Sequence, residues 1–196
     1  RATTVYDLCE QAELSRPQCV AVGPRGGCLI TPRHALHAWH YRRSVGNTIK
    51  YEWGERKVIR VQQAGNSDIA IATLDEDSPP DVAPAKFLPW DWDVHLPTDR
   101  NGERLRRPIR AFSCSSDGTL RDTTLSSIGE NFGAGSYFVV SGDSGQPVWL
   151  PLAEPVLVGC WLYRGSGPSV AHYVYNDIMR CTALDDKPAA MLEAEW

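Results

Sequence analysis

Short apolar runs broken by Gly, Asn and Pro turns dominate the chain, a pattern that predicts antiparallel strands more than helices. The first segment is the exception. Within residues 3–15, Val5, Leu8, Cys9 and Ala12 share one helical face, and Pro17 stops the helix. Strands are then predicted at 19–22, 28–30, 49–53, 57–62 and 69–74, enough for a first β-barrel. The stretch 75–89 carries prolines at 79, 80, 84 and 89 and reads as the connection to a second half. There the strands are predicted at 109–114, 119–128, 137–140, 147–150, 156–162 and 170–174. A C-terminal helix begins near Asn176, apolar at Ile178 and Met179 and interrupted at Pro188. The expected fold class is all-β: two packed antiparallel barrels with a short helix at each end. The expected division is one domain over 1–196, with about 1–88 in the first barrel, about 89–176 in the second, and 177–196 in the C-terminal helix.

Composition narrows the function classes. A chain of 196 residues is long enough for a real core. Its net charge of −4 argues against nucleic acid or an anionic membrane as the main partner. No apolar stretch approaches a membrane span, and the first thirty residues lack a signal-like apolar segment, although a chain beginning at Arg1 is compatible with a leader already removed. There are no internal repeats or low-complexity tracts.

The chemistry concentrates in three places. In Ser141-Gly142-Asp143-Ser144-Gly145-Gln146-Pro147-Val148-Trp149, a serine sits between glycines. Such a backbone turns sharply and leaves the hydroxyl and nearby N–H groups free to hold an oxyanion. Asp68 stands at the mouth of the apolar run 69–74, where a carboxylate beside a buried strand needs a partner such as an imidazole N–H. Three histidines, His34, His37 and His40, compete for the role of base in Leu29-Ile30-Thr31-Pro32-Arg33-His34-Ala35-Leu36-His37-Ala38-Trp39-His40-Tyr41.

These segments resemble those of trypsin/chymotrypsin-like serine proteases, in a bacterial style. The histidine stretch is similar to that family's "LISPRHVLTAAHC", the aspartate stretch to "DIALLKL", and the segment 156–168 to the "LVGIVSWG…GxP" strand that lines the substrate cleft. The first match makes His40 the triad histidine, places His34 in a surface turn, and puts His37 where threonine is usual. The resulting order His40, Asp68, Ser144 is that of the chymotrypsin architecture. The resemblance implies two six-stranded barrels and a serine endopeptidase acting on protein or peptide. Gly142 and Ser144 N–H would form the oxyanion hole, and no cofactor or metal is needed. It also places Phe138 at the pocket floor, where trypsin has Asp, so that Lys/Arg specificity is not expected. Leu162, Tyr163 and Arg164 would stand in the pocket wall where relatives read Ser-Trp-Gly. Leu162 cannot supply the hydroxyl that often supports the triad acid. A small, truncated or acidic side chain before the scissile bond is expected, with Arg164 or His172 as carboxylate partners.

The resemblance bears on the six cysteines as well. Arg25 and Tyr41 occupy two positions that secreted animal members bridge with a disulfide, and Val140 occupies another bridge position. Buried free thiols are expected at Cys28 and Cys160, which slightly favours a cytoplasmic setting over a secreted one. A Cys9–Cys19 pair stays open. Asp143, which pairs with a freed amino terminus in zymogen-activated members, is expected to find an internal partner such as Arg121 or Arg164. A zinc site at His34, His37 and His40 is disfavoured for want of a companion motif. The rings of Trp90-Asp91-Trp92-Asp93 are expected to fold onto the core. The arginines between Arg100 and Arg110 are expected in a solvated loop, and His95 and His172 in structural roles. Two rival readings stand beside the protease: a double-barrel binding module without activity, and a viral-type self-processing protease whose terminal Trp196 stays in its own cleft.

Overall fold

Helix α1 (Val5–Gln11) begins with a reciprocal cap: the Thr4 hydroxyl accepts from Asp7 N, and the Asp7 carboxylate accepts from Thr4 N. In the computed structural model, which describes residues 4–136, 142–162, 165–173 and 177–183, the helix stops at Gln11, short of the expected 15. The cause lies across the molecule. Arg110 donates to the carbonyls of Glu10 and Ala12 at 2.9 and 2.8 Å, satisfying the helix end in an extended conformation.

The first barrel is built from β1 (Cys28–Thr31), β2 (His34–Ala38), β3 (Thr48–Tyr51), β4 (Gly54–Gln63) and β5 (Ile69–Leu74), in the order β1-β2-β5-β4-β3, all antiparallel. The predicted strand at 19–22 closes this sheet instead of joining it as a full strand. Leu29 N donates to Cys19 O at 2.9 Å, and Val22 N to Lys50 O at 2.8 Å. Strand β2 is an addition to the expected set. All five of its residues are buried, so it lacks the alternation of a half-exposed strand.

The second sheet runs β12-β9-β8-β7-β10-β11-β6. Its strands are β6 (Lys86–Phe87), β7 (Ile109–Cys114), β8 (Leu120–Ile128), β9 (Asn131–Ser136), β10 (Pro147–Leu150), β11 (Val156–Cys160) and β12 (Ser166–Pro168). The β6 strand, taken from the proline-rich connection, pairs parallel to β11. A bridge between Gly159 and Ser169 closes the barrel. Glycine is required on both sides of the seam, because a Cβ at Gly159 would lie 2.1 Å from Pro168 O and one at Gly167 1.9 Å from Cys160 O. These two curled sheets, of five and seven strands where six each were expected and antiparallel except for the β6–β11 pair, make the chymotrypsin-like double barrel that the sequence implied.

The run starting at Val170, expected as a strand, is instead helix α2 (Val170–Tyr173). Pro168 ends the ladder, and the helical turn buries Val170 and Ala171 while leaving His172 exposed. The C-terminal helix is seen as α3 (Met179–Ala183). The expected strand at 137–140 lies outside the described residues, as do Arg1, Phe138, Val140, Tyr163, Arg164 and Trp196.

The chain ends cross over. Helix α1 packs on β7 of the second barrel, with Tyr6 Oη donating to Leu105 O at 2.7 Å. Helix α3 reaches the first barrel, where the Cys181 thiol donates to Gln63 O and the Asp177 carboxylate fills the space beside Gly65. All six cysteines are free and buried, so Cys9 and Cys19 are not bridged. No helix among the described residues is long and apolar enough to cross a membrane.

Candidate active site

The β2–β5 ladder brings two predicted site residues together. Beyond the Ala38–Ile69 pair, Trp39 N donates to Asp68 O at 2.9 Å and extends the pairing by one step. His40 therefore leaves the strand beside Asp68. The carboxylate accepts twice from it: from His40 N at 2.8 Å through Oδ1, and from ring Nδ1 at 2.5 Å through Oδ2. This fixes the neutral tautomer with its proton on Nδ1 and its lone pair on Nε2. The ring is 44% exposed and the carboxylate 18%.

The other two histidines are spent elsewhere. His34, expected in a surface turn, is fully buried, with Nδ1 2.7 Å from Thr31 Oγ1; the whole of β2 packs on both faces. His37 is also fully buried, and its Nε2 accepts from Arg43 N at 3.1 Å. Burial above all, with the Arg43 charge adding to it, lowers the His37 pKa to about 3 and keeps the ring neutral. Of the three, His40 alone offers an accessible imidazole. Among the described residues no group of three His, Cys, Asp or Glu side chains is placed to hold a metal ion.

Ser144 sits in a loop pinned on three sides. Gly142 and Gly145 take φ values of +101° and +90°, which a side chain would oppose. Gly145 N donates to Trp161 O at 2.9 Å, and Trp161 N to Gln146 O at 3.0 Å. Asp143 is buried, and its Oδ1 accepts from Ser116 N at 2.7 Å, an internal partner of the kind expected from sequence. The Ser144 hydroxyl donates to Leu162 O at 3.2 Å. Among the described residues no acceptor takes the N–H of Gly142 or Ser144.

The loop is also clamped onto the first barrel. Gln146 Nε2 donates to Gly23 O at 2.7 Å. Gly26 and Gly145 face each other so closely that a Cβ on Gly26 would lie 2.0 Å from Gly145 O. A Cβ on Gly145 would lie 2.6 Å from Arg25 O and 3.1 Å from Ala38 N, two residues before His40. The residue after Ser144 thus rests on the end of the strand that leads to His40. Asp68 is felt across the same seam: the thiol of Cys160 in β11 is raised by burial first and by the Asp68 charge second.

Sequence reasoning named His40, Asp68, Ser144, Gly142 and Leu162 but missed the residues that hold the two halves together, Gly26, Gln146 and Ser116. It noted Arg25 and Tyr41 as a paired loss of cysteines. The structure shows what replaces them: the Arg25 guanidinium lies 4.5 Å over the Tyr41 ring. Leu162 keeps its place by donating its N–H to Ser166 O at 2.9 Å.

Outside the site, one expectation is corrected and another is met. Trp90 is 65% exposed, and only Trp92 packs on the core. The arginines between Arg100 and Arg107 lie in an exposed loop as expected, where Arg106 still reaches Asp93 at 2.8 Å and Arg107 lies 4.4 Å over the Tyr6 ring, while Arg110, in β7, pairs with Asp122 at 2.9 Å.

No family model matches the chain, and no curated protein matches its sequence. Solved structures do match, 671 chains among them. One is the VesB protease of Vibrio cholerae, with a TM-score of 0.59 and 16% identity over 83% of this chain and 64% of that one. This chain therefore spans less than two thirds of that protein's length. At such identity the likeness speaks for the fold.

Proposed function

We propose that the protein is a serine endopeptidase that hydrolyses peptide bonds through an acyl-enzyme. The observation that carries the reading is the His40–Asp68 contact at 2.5 Å, set beside a clamped loop that presents Ser144. Ser144 Oγ turns from Leu162 O toward His40 Nε2, gives up its proton and attacks the scissile carbonyl; such contacts are often loose before substrate binds. Asp68 stays ionised, holds the tautomer and stabilises the imidazolium. The N–H groups of Gly142 and Ser144 receive the oxyanion, each contributing about 3–4 kcal/mol. His40 then protonates the leaving amine, and water completes the second half through the same base. The protease named above is a fold relative, which favours a protein or peptide as the substrate.

On this reading Phe138 forms the pocket floor in place of an acid, with Leu162, Tyr163 and Arg164 along the wall. Cleavage is then directed away from Lys and Arg, toward small or acidic residues before the scissile bond. Profiling with peptide libraries checks this, and cleavage confined to Lys/Arg sites counts against it.

A second reading, a binding module without activity, is favoured by one observation: the Ser144 hydroxyl is engaged by the Leu162 carbonyl. A fluorophosphonate probe separates the two. Covalent labelling of the native protein, abolished in Ser144→Ala, supports the protease. Absence of labelling in a folded protein leaves the binding module.

A further inference from the structure

The side of the site beyond His40 carries positive charge for which the triad chemistry has no use. An open pocket of about 480 Å³ adjoins the ring, bounded by Arg25, Tyr41, Arg42 and Arg43 with Val45 and Val61, and no acidic residue lines it. Arg43 is consumed by structure: its guanidinium donates to the carbonyls of Thr48, Pro24 and Gly26. Arg25 and Arg42 are different. Arg25 lies over the Tyr41 ring, and Arg42 lies 4.0 Å over the Trp39 ring with one bond, at 3.0 Å, to Trp39 O. Neither forms an ion pair among the described residues. Asp68, the acid paired with the neighbouring His40, already accepts twice from it.

The backbone makes the placement of Arg25 deliberate in physical terms. Its φ is +70°, the one non-glycine residue with positive φ among those described. Glycine would adopt that angle without strain, as the adjoining Gly26 and Gly27 do. The same turn puts the Arg25 carbonyl against Gly145, so the side chain springs from the point where the Ser144 loop meets β2. Stacking on an aromatic face leaves the edge of each guanidinium, with its N–H donors, open to a planar anion.

Direction follows from the proposed reaction, on which this inference rests. Ser144 is flanked on one side by Leu162 and on the other by the Arg25–Gly26 turn. His40 delivers its proton to the leaving amine, so the chain after the scissile bond departs over His40 and into this pocket. We infer that the pocket bounded by Arg25, Tyr41 and Arg42 selects substrates with a carboxylate side chain in the first two positions after the scissile bond. Tyr41, Val45 and Val61 give the stem of an Asp or Glu an apolar wall, and the two cations take its head.

The test uses the whole chain and quenched-fluorescence peptides, randomised before the scissile bond and carrying Glu, Asp, Gln, Asn or Lys at the two positions after it. Glu and Asp peptides are expected to show kcat/KM about tenfold above their Gln and Asn counterparts at low salt, with the ratio shrinking severalfold at about 0.5 M salt. Arg25→Gly, which relaxes the backbone angle, and Arg42→Gln are each expected to bring the Glu/Gln ratio down toward one. The two are independent, so loss of folding in one leaves the other to decide. Cleavage with equal rates for Glu and Gln peptides, or a ratio unmoved by both variants and by salt, overturns the inference and leaves the protease reading standing. Absence of both peptide cleavage and fluorophosphonate labelling overturns the protease reading, and this inference falls with it.

Discussion

Asp68 is engaged by both the backbone and the ring of His40, so its two oxygens do different work. Replacing it with asparagine keeps the shape but puts an amide where the carboxylate held the Nδ1 proton, and the ring settles in the wrong tautomer. Asp68→Asn is expected to lower kcat by about 10³–10⁴-fold with KM little changed, measured on any peptide the native protein cleaves. His37 supports a second prediction, on stability. Folded, it titrates near 3; unfolded, near 6.5. The unfolded chain therefore takes the proton first, so His37 costs nothing above about pH 6.5 and weakens the fold progressively as pH falls toward 3. The slope is up to about 1.4 kcal/mol per pH unit. Denaturant unfolding across pH 3–7 reads it directly, and His37→Gln should show a flatter acid slope than the native chain. An unchanged slope would mean His37 is protonated in the fold.

At the scale of elements, the contact between the turn after Pro24 and the Ser144 loop decides whether the site assembles. A methyl group on Gly26 meets the Gly145 carbonyl and also faces a φ of +68°, so Gly26→Ala is expected to cost roughly 3 kcal/mol or more and to abolish labelling of Ser144. Gly46, with φ +94° and open space around it, is the matched control; Gly46→Ala should cost only about 1 kcal/mol and leave labelling intact. Thermal unfolding and fluorophosphonate labelling of the pair check both. This clamp was not legible in the sequence, because a glycine declares a permissive backbone without saying what approaches it. The strands 69–74, 109–114 and 147–150 were legible to the residue, since branched or aromatic runs with clear turns bound them. Strand β2 was hidden because both its faces are covered and two of its five residues are histidine. Strand β9 was hidden by its glycines, although Phe132 within it packs at 5.2 Å on Trp161. His40, Asp68 and Ser144 were named from their flanking letters, whereas the contact between Arg25 and Tyr41 needed the fold to bring two turns together.

Across the whole molecule, the crossed ends tie each barrel to the other: α1 is held by Arg110 of β7 and by the Tyr6 bond to Leu105 ahead of that strand, and α3 is held against β4 by Cys181. Neither half has a complete surface without a segment from the far end of the chain, which favours unfolding as one unit. The six buried thiols report on this, because they are distributed over every part. Cys9 lies in α1 and Cys114 in β7, raised by burial to about 12 and about 11. Cys28 in β1 is raised by a hydrogen bond with Cys19 and by burial, and Cys160 and Cys181 are raised by burial. Thiols held protonated and out of solvent are poor nucleophiles. In the native protein at pH 8 none of the six is expected to react quickly with an aromatic disulfide reagent, and all six react once denaturant unfolds the chain. Along a denaturant series they should become reactive together, at the midpoint seen by tryptophan fluorescence. Release of Cys19 and Cys28 ahead of Cys114 and Cys160, resolved by mass spectrometry of the labelled peptides, would show instead that the first barrel opens alone and that the crossed ends do not bind the halves into one cooperative fold.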